Sequence, residues 1–144
     1  MAGDDIKALA QQVFDAFTAG EPDRLDALIS PDYVEHTPVP PGWPTGLEGL
    51  KQYIRVTHTG FPDFRYTVED MVAEGDVVAA RATARGTHTG EYLGIPPTGK
   101  EASWTEMHIG RVEGGRFVEH WANSDQLGLL QQLGVIPAPE QAGT

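Results

Sequence analysis

Cysteine is absent from this chain of 144 residues. Its absence excludes disulfides, thiol nucleophiles and thiolate metal sites from the sequence. Long apolar runs are absent too, because no stretch approaches the ~20 residues that a membrane-spanning helix needs. The first residues, MAGDDIKALA, lack the basic and then apolar segments of a signal peptide. We therefore expect a cytoplasmic protein with no membrane partner.

Basic residues are few, since ten Lys and Arg stand against 21 Asp and Glu, for a formal charge of −11. Such a surface repels phosphate backbones and anionic headgroups, so we expect no nucleic-acid partner. Hydrophobic residues make up 40% of the chain, as in ordinary globular domains. The length fits one domain, which we assign to residues 1–137, and residues 138–144 are predicted to be a disordered tail.

The pattern of the first half is helical. Apolar residues recur at three- and four-residue spacing from Ile6 to Phe17, which predicts an amphipathic helix that ends at Gly20. A shorter helix is predicted after Pro22, and residues 33–36 fit a brief strand. Residues 47–58 are predicted to form a third helix.

After Pro62 the pattern changes to the alternation that is typical of strands. It predicts strands over residues 64–69, 77–87, 100–112 and 116–123, followed by a helix over 126–133. Helices followed by antiparallel strands indicate the α+β class. We expect a curved antiparallel sheet wrapped around the N-terminal helices, with a central pocket between sheet and helices as the ligand site.

One predicted strand places acid and base groups on a single face, where Trp104, Glu106 and His108 alternate with other residues. A carboxylate and an imidazole two residues apart suit proton transfer, and burial can raise the pKa of the carboxylate into the working range. The alternative is a hydrogen-bonded polar pair on a solvated sheet face.

The sequence leaves the register of the last hairpin open. A tight two-residue turn at Gly114 and Gly115 sets His108 opposite Trp121. One bulged residue instead brings His120 and Ala122 onto the face of His108. Which side chains share the pocket depends on this choice.

Other residues have competing interpretations. A metal site could use four side chains of suitable type, which are His36, His108, His120 and Glu106. No H-x-H or H-E-x-x-H spacing supports such a site, so no metal is predicted. Asp125 precedes the last helix, where an N-cap role competes with a catalytic one. Aromatic side chains either line a pocket or fill the core; these are Phe17, Tyr33, Trp104 and Trp121.

Four segments carry a resemblance to a known family. They are GTHTGEYLGIPPTGK over residues 86–100, WTEMH over 104–108, VEHW over 118–121 and DQLGLLQQLG over 125–134. With these segments, and with the order of helices and strands before them, nearly the whole chain resembles the SnoaL-like polyketide cyclases. The resemblance implies a nuclear-transport-factor-two-like cone, commonly a homodimer, with a pocket at its wide end.

The resemblance also implies a chemistry. The cyclases of this family close a ring of an aromatic polyketide ester by an intramolecular aldol reaction, without metal or cofactor. His108 falls where they carry a pocket histidine, but their acid/base aspartate falls at or beside Ala122, which cannot abstract a proton. Glu106 and Asp125 are then the carboxylates left for the base role. The remaining expected contacts to an apolar or aromatic substrate are Phe17, Tyr33, His36, Trp104, His120, Trp121 and Asn123.

Three functions follow as hypotheses. The first is a cyclase, lyase or isomerase that moves a proton on an enolisable, mostly apolar substrate. The second is an accessory ligand-binding domain that keeps the pocket without the base. The third is epoxide hydrolysis, which uses an Asp-Arg-Asp set on the same fold; Arg81 and Arg85 share a strand face, but no aspartate lies two residues from either.

Overall fold

The structure is a computed structural model that describes residues 2–137; the predicted disordered tail lies outside these residues. No helix within them is long and apolar enough to cross a membrane. The elements are α1 (Gly3–Ala19), a 3₁₀ helix (Pro22–Ala27), β1 (Ile29–Glu35), α2 (Gly46–Gly60), β2 (Arg65–Glu74), β3 (Val77–Thr87), β4 (Glu101–Glu113), β5 (Arg116–Ser124) and α3 (Gln126–Gln132).

Helix α1 forms where the apolar spacing predicts it. Asp4 and Asp5 lie in its first turn, where carboxylates interact favourably with the positive end of the helix. Gly20 ends it with φ of 67°, a left-handed conformation that glycine adopts without steric cost. The buried face of the helix includes Phe14 and Phe17, which are directed toward the sheet.

The five strands form one curved, unclosed sheet in the order β1-β5-β4-β3-β2. The α+β prediction is confirmed, and β2, β3, β4 and β5 pair antiparallel as the hairpin pattern indicates. The sheet is nevertheless mixed, because β1 pairs with β5 in parallel. Pro31 lies within β1, which the sheet tolerates because β1 is an edge strand and proline has no N–H to donate.

Small residues on the concave face of β3 allow α1 to approach the sheet closely. Ala80 and Ala82 are buried and form one apolar cluster with Phe14. Larger side chains at these positions would fill the space that the aromatic ring occupies. The helix therefore lies across the sheet and leaves a cavity beside it.

The glycine- and proline-rich segment over residues 88–100 connects β3 to β4 and folds back onto the core. Tyr92 is buried and its ring contacts that of Phe61 edge-on, with centroids 5.2 Å apart. Gly90 is required for this approach, because a Cβ there would lie 1.9 Å from the carbonyl oxygen of Thr59. The loop thus packs against the end of α2 and the residue after it.

Candidate active site

The pairing of β4 with β5 decides which side chains face the concave side of the sheet. His108 pairs with Ala122 and Gly110 pairs with His120, with a register shift between Arg111 and Val112. This is the bulged alternative left open by the sequence, and it brings both histidines onto one face. A bulge has this effect because one extra residue reverses the side of the sheet to which the following side chains point.

A cavity lies between α1 and the concave face. The space that it encloses, with the open mouth included, is about 590 Å³. The wall includes four side chains that carry polar groups, which are His108, His120, Tyr33 and Tyr66. The apolar part of the wall includes Val13, Phe14, Phe17, Ile29, Leu50, Val78 and Phe117.

Both histidines belong to a continuous hydrogen-bonded chain with a carboxylate at each end. Glu106 Oε1 lies 2.8 Å from His108 Nε2, and His108 Nδ1 lies 2.9 Å from His120 Nε2. His120 Nδ1 lies 2.7 Å from Glu35 Oε1. We call these four residues the carboxylate–histidine chain. Every ring nitrogen in it has a protein partner.

The carboxylate of Glu106 lies behind His108 and does not line the cavity. Its residue is 4% exposed, and it accepts hydrogen bonds from Tyr66 Oη at 2.8 Å and Trp104 Nε1 at 3.0 Å. Burial raises the pKa of Glu106, but the hydrogen bonds from His108, Tyr66 and Trp104 outweigh it and leave the pKa lowered. The direction is therefore opposite to the rise expected from burial alone.

Glu35 at the other end of the chain was missed by the sequence analysis. Tyr33 Oη donates a hydrogen bond to its carboxylate, and the backbone N–H of Thr37 donates another at 3.1 Å. Burial raises the pKa of Glu35, but the hydrogen bond and charge of His120 outweigh it and lower the pKa to about 2. Burial and the adjacent carboxylate raise the pKa of Tyr33 above its ordinary range.

Aromatic contacts hold the two imidazole rings in place. The ring of Phe14 meets His108 edge-on at 5.3 Å between centroids, and Tyr66 meets it in the same way at 6.3 Å. Tyr33 stacks near His120 with centroids 6.5 Å apart. Such contacts restrict ring rotation, with two aromatic neighbours for His108 and one for His120.

Three residues predicted to contact substrate lie outside the cavity. His36 stacks on Trp121 with centroids 4.6 Å apart, and its Nε2 lies 3.6 Å from Glu119 Oε1. Trp121 and Asn123 are exposed and pair with Ile109 and Met107 on the convex face. The bulge that brings His120 inward sends Trp121 and Asn123 outward, and none of the three residues lines the cavity.

Trp104 and Asp125 are placed for structural roles. Trp104 is 3% exposed in the core and contributes its indole N–H to Glu106 rather than to the cavity wall. Asp125 is the N-cap of α3, where its Oδ1 accepts from the N–H of Gly128 at 2.9 Å. The cap satisfies a helix-end donor, and Asp125 is not among the residues that line the cavity. Phe17, Tyr33, His108 and His120 are the predicted residues that do line it.

The arrangements that the rival chemistries need are not assembled in the part of the chain that the structure describes. Arg81 lies 2.7 Å from Asp70 at an exposed position, and Arg85 donates to Thr67, so neither forms an Asp-Arg-Asp set in the cavity. Within residues 2–137, no three His, Asp or Glu side chains converge as metal ligands would.

Comparison with known proteins agrees with this architecture. The family model for SnoaL-like polyketide cyclases matches residues 7–133. Nogalonic acid methyl ester cyclase from Streptomyces nogalater is 31% identical over 129 residues, which are 89% of this chain and 96% of that protein.

Solved structures of similar proteins have the same fold as this chain. TsrD from Streptomyces laurentii is 33% identical with a TM-score of 0.86, and the match covers 94% of this chain and 99% of TsrD. IdmH from Streptomyces antibioticus is 41% identical with a TM-score of 0.79, over 90% of this chain and 98% of IdmH. Since the family match spans both the helices and the whole sheet that builds the cavity, the chain belongs to the SnoaL-like polyketide cyclase family.

Proposed function

We propose that this protein is a cyclase that moves a proton on an enolisable, mostly apolar polyketide ester and closes a ring by intramolecular aldol addition. The observation that carries the proposal is the pair of imidazoles, His108 and His120, on the wall of an apolar cavity with a buried carboxylate behind each ring. The activity for which the nogalonic acid methyl ester cyclase is named supports the substrate class.

The cavity suits a flat, apolar substrate. Phe14, Phe17 and Tyr66 contribute aromatic surface, and their contacts with a ring system would gain from burial and from edge-on aromatic geometry. Exclusion of water by such a ligand also strengthens the interaction of the imidazoles with charge that develops on the substrate. Binding and proton transfer are thus served by the same wall.

The geometry favours the histidine pair over Glu106 as the group that exchanges the proton. Glu106 lies behind His108 and acts on the substrate only through it, which makes Glu106 a positioning residue. Ala122, which pairs with His108, offers no acid. An imidazole of the pair is therefore the group on the wall that can act as an acid or a base.

The reaction balances without a cofactor. An imidazole nitrogen takes a proton from the carbon next to a carbonyl, and the resulting enolate carbon attacks a second carbonyl carbon of the same molecule. A C–C bond forms, the second carbonyl becomes an alkoxide, and the alkoxide takes the proton back from the imidazole. The protein ends the cycle with the protons that it had at the start.

The test is exchange of the activated C–H for deuterium, followed by NMR, together with ring closure of an aromatic polyketide methyl ester. His108→Gln is expected to lower both rates by roughly 10²–10⁴, the usual contribution of a positioned acid or base. His36→Gln is the matched control, because His36 lies outside the cavity. Equal rates in the two variants would contradict the assignment.

An accessory ligand-binding role is the second candidate. It is favoured by Ala122 and by the engagement of every ring nitrogen of the histidine pair by protein partners. A wild-type protein that binds the ester without exchanging its activated proton would establish this role. Ala122→Asp places an acid beside His108, and under the cyclase proposal it is expected to create or raise aldol activity.

Association and location also belong to the proposal. Met107 and Ile109 are 57% and 44% exposed on the convex face, with Trp121 beside them. Exposed apolar side chains of this kind are typical of a face that a second copy covers, so we propose a homodimer.

We also propose that the protein acts in the cytoplasm, and that its reaction is that of a lyase or an isomerase.

A further inference from the structure

The outer contacts of the carboxylate–histidine chain fix two protons. Hydrogen bonds lower the pKa of both Glu35 and Glu106, so both carboxylates are ionised near neutral pH. An ionised carboxylate only accepts hydrogen bonds. His108 must then carry a proton on Nε2, and His120 must carry one on Nδ1.

The inner contact needs a third proton. His108 Nδ1 and His120 Nε2 lie 2.9 Å apart, a hydrogen-bond distance. If both rings were neutral, these two nitrogens would face each other with lone pairs, because the protons are already on the outer nitrogens. A stable contact at this distance requires one proton between them, which gives the pair a single positive charge.

The surroundings favour that charge. The titratable groups that face the pair are Glu35 and Tyr33 from β1, Tyr66 from β2 and Glu106 from β4. Helix α1 and strand β3 present the uncharged Phe14 and Ala80. With the shared proton, the four residues of the carboxylate–histidine chain have a net charge of −1. Without it, their net charge is −2 in a partly buried site, where uncompensated charge is costly.

We propose that three ring N–H protons, two on the outer nitrogens and one between His108 and His120, hold the carboxylate–histidine chain together in a closed form. Loss of the proton between the two rings separates them, and this open form is the base. Loss of that proton leaves two lone pairs in contact, and the contact separates. Both rings line the cavity, so a nitrogen freed in this way has the cavity beside it. The catalytic part of this inference rests on the proposed function, whereas the proton count does not.

The opened pair completes the reaction without another group. A freed nitrogen takes the proton from the activated carbon, and the pair again holds three ring protons and one positive charge. The same proton then goes to the alkoxide that ring closure forms, which returns the pair to its neutral state. The closed chain is thus the acid form of the catalyst, and the open chain is its base form.

Glu35 becomes a positioning residue in this scheme. It holds His120 as Glu106 holds His108, and its negative charge stabilises the shared proton. Glu35→Gln keeps an acceptor of the same shape and removes the charge. A charge within hydrogen-bond distance changes a proton equilibrium by roughly tenfold or more. At a fixed pH, the ratio of pairs with the shared proton to pairs without it is therefore expected to be at least about tenfold lower in the variant.

The decisive experiment is NMR of the ¹⁵N-labelled imidazoles in the full chain without ligand, across neutral pH. At the low end of this pH range, we expect three ring N–H protons on His108 and His120. As the pH rises, the number should fall to two, because the inner nitrogens lose the proton that they share. Two ring protons throughout would overturn the proposal.

The variants test the role of Glu35. In Glu35→Gln, loss of the shared proton and the rise of the deuterium-exchange rate are both expected at lower pH than in the wild type. Glu119→Gln makes the same charge change next to His120 on the convex face, where Glu119 pairs with Arg111, and should leave both profiles unchanged. Identical profiles in the two variants, with native amide spectra, would overturn the positioning role. Three ring protons in a wild type that exchanges no substrate proton would overturn the catalytic part alone.

Discussion

The contacts of Glu35 predict how acid destabilises this protein. The side chain is 13% exposed and bonds to His120, to the phenol of Tyr33 and to the backbone of Thr37. These partners hold its pKa at about 2, against an ordinary value of 4.5. Because the side chain is mostly buried, solvent screening removes little of this stabilisation.

The magnitude follows from linkage between proton binding and folding. The difference between 4.5 and about 2 corresponds to about 3 kcal/mol of folding free energy, at ~1.4 kcal/mol per pH unit. Because the pKa is lower in the folded state, this contribution is fully present above pH 4.5. It is lost progressively as the pH falls from 4.5 toward 2.

The assay is urea unfolding of the wild type and Glu35→Gln at pH 7, 5, 4 and 3, followed by circular dichroism, with free energies from linear extrapolation. At pH 7 the variant is expected to be less stable by up to about 3 kcal/mol. The gap between the two proteins should narrow steadily below pH 4.5, because the wild type loses a contribution that the variant never had.

Glu74→Gln is the matched control, since Glu74 is an exposed carboxylate at the end of β2. Its stability profile should follow that of the wild type within about 0.5 kcal/mol, the usual effect of a surface substitution. A constant gap between wild type and Glu35→Gln from pH 7 to pH 3 would refute the reasoning, because the carboxylate would then contribute nothing that depends on its charge.

Three further predictions concern the site, the cap and the convex face. Glu106→Gln keeps the shape of the side chain but removes the anion that orients His108, and turnover is expected to fall by roughly 10²–10⁴. Asp125→Ala removes the cap of α3 and should lower stability by about 1 kcal/mol in thermal unfolding, with turnover unchanged. Ile109→Lys places a charge on the exposed apolar face. In light scattering at tens of micromolar, a concentration of the order suited to moderately tight association, we expect a dimer for the wild type and a monomer for the variant.

Local patterns in the sequence were sufficient to predict most elements. The spacing of apolar residues from Ile6 to Phe17 predicts α1, and alternation after Pro62 predicts β3, β4 and β5 close to their observed bounds. The strand β2 begins close to where it is predicted but continues five residues beyond the predicted end at residue 69. These patterns suffice because helix and strand periods depend on near neighbours and on which face is buried. The shared face of Glu106 and His108 was predictable for the same reason.

Tertiary structure alone decided which groups complete the site. His120 faces the cavity because of a bulge beside the last turn, and no local pattern distinguishes that register from a tight hairpin. Glu35 reaches His120 only because β1 pairs in parallel with β5, across 85 positions of sequence. Pairing at such a separation depends on how the whole sheet buries its faces, so the sequence determined one half of the carboxylate–histidine chain and the assembled sheet supplied the other.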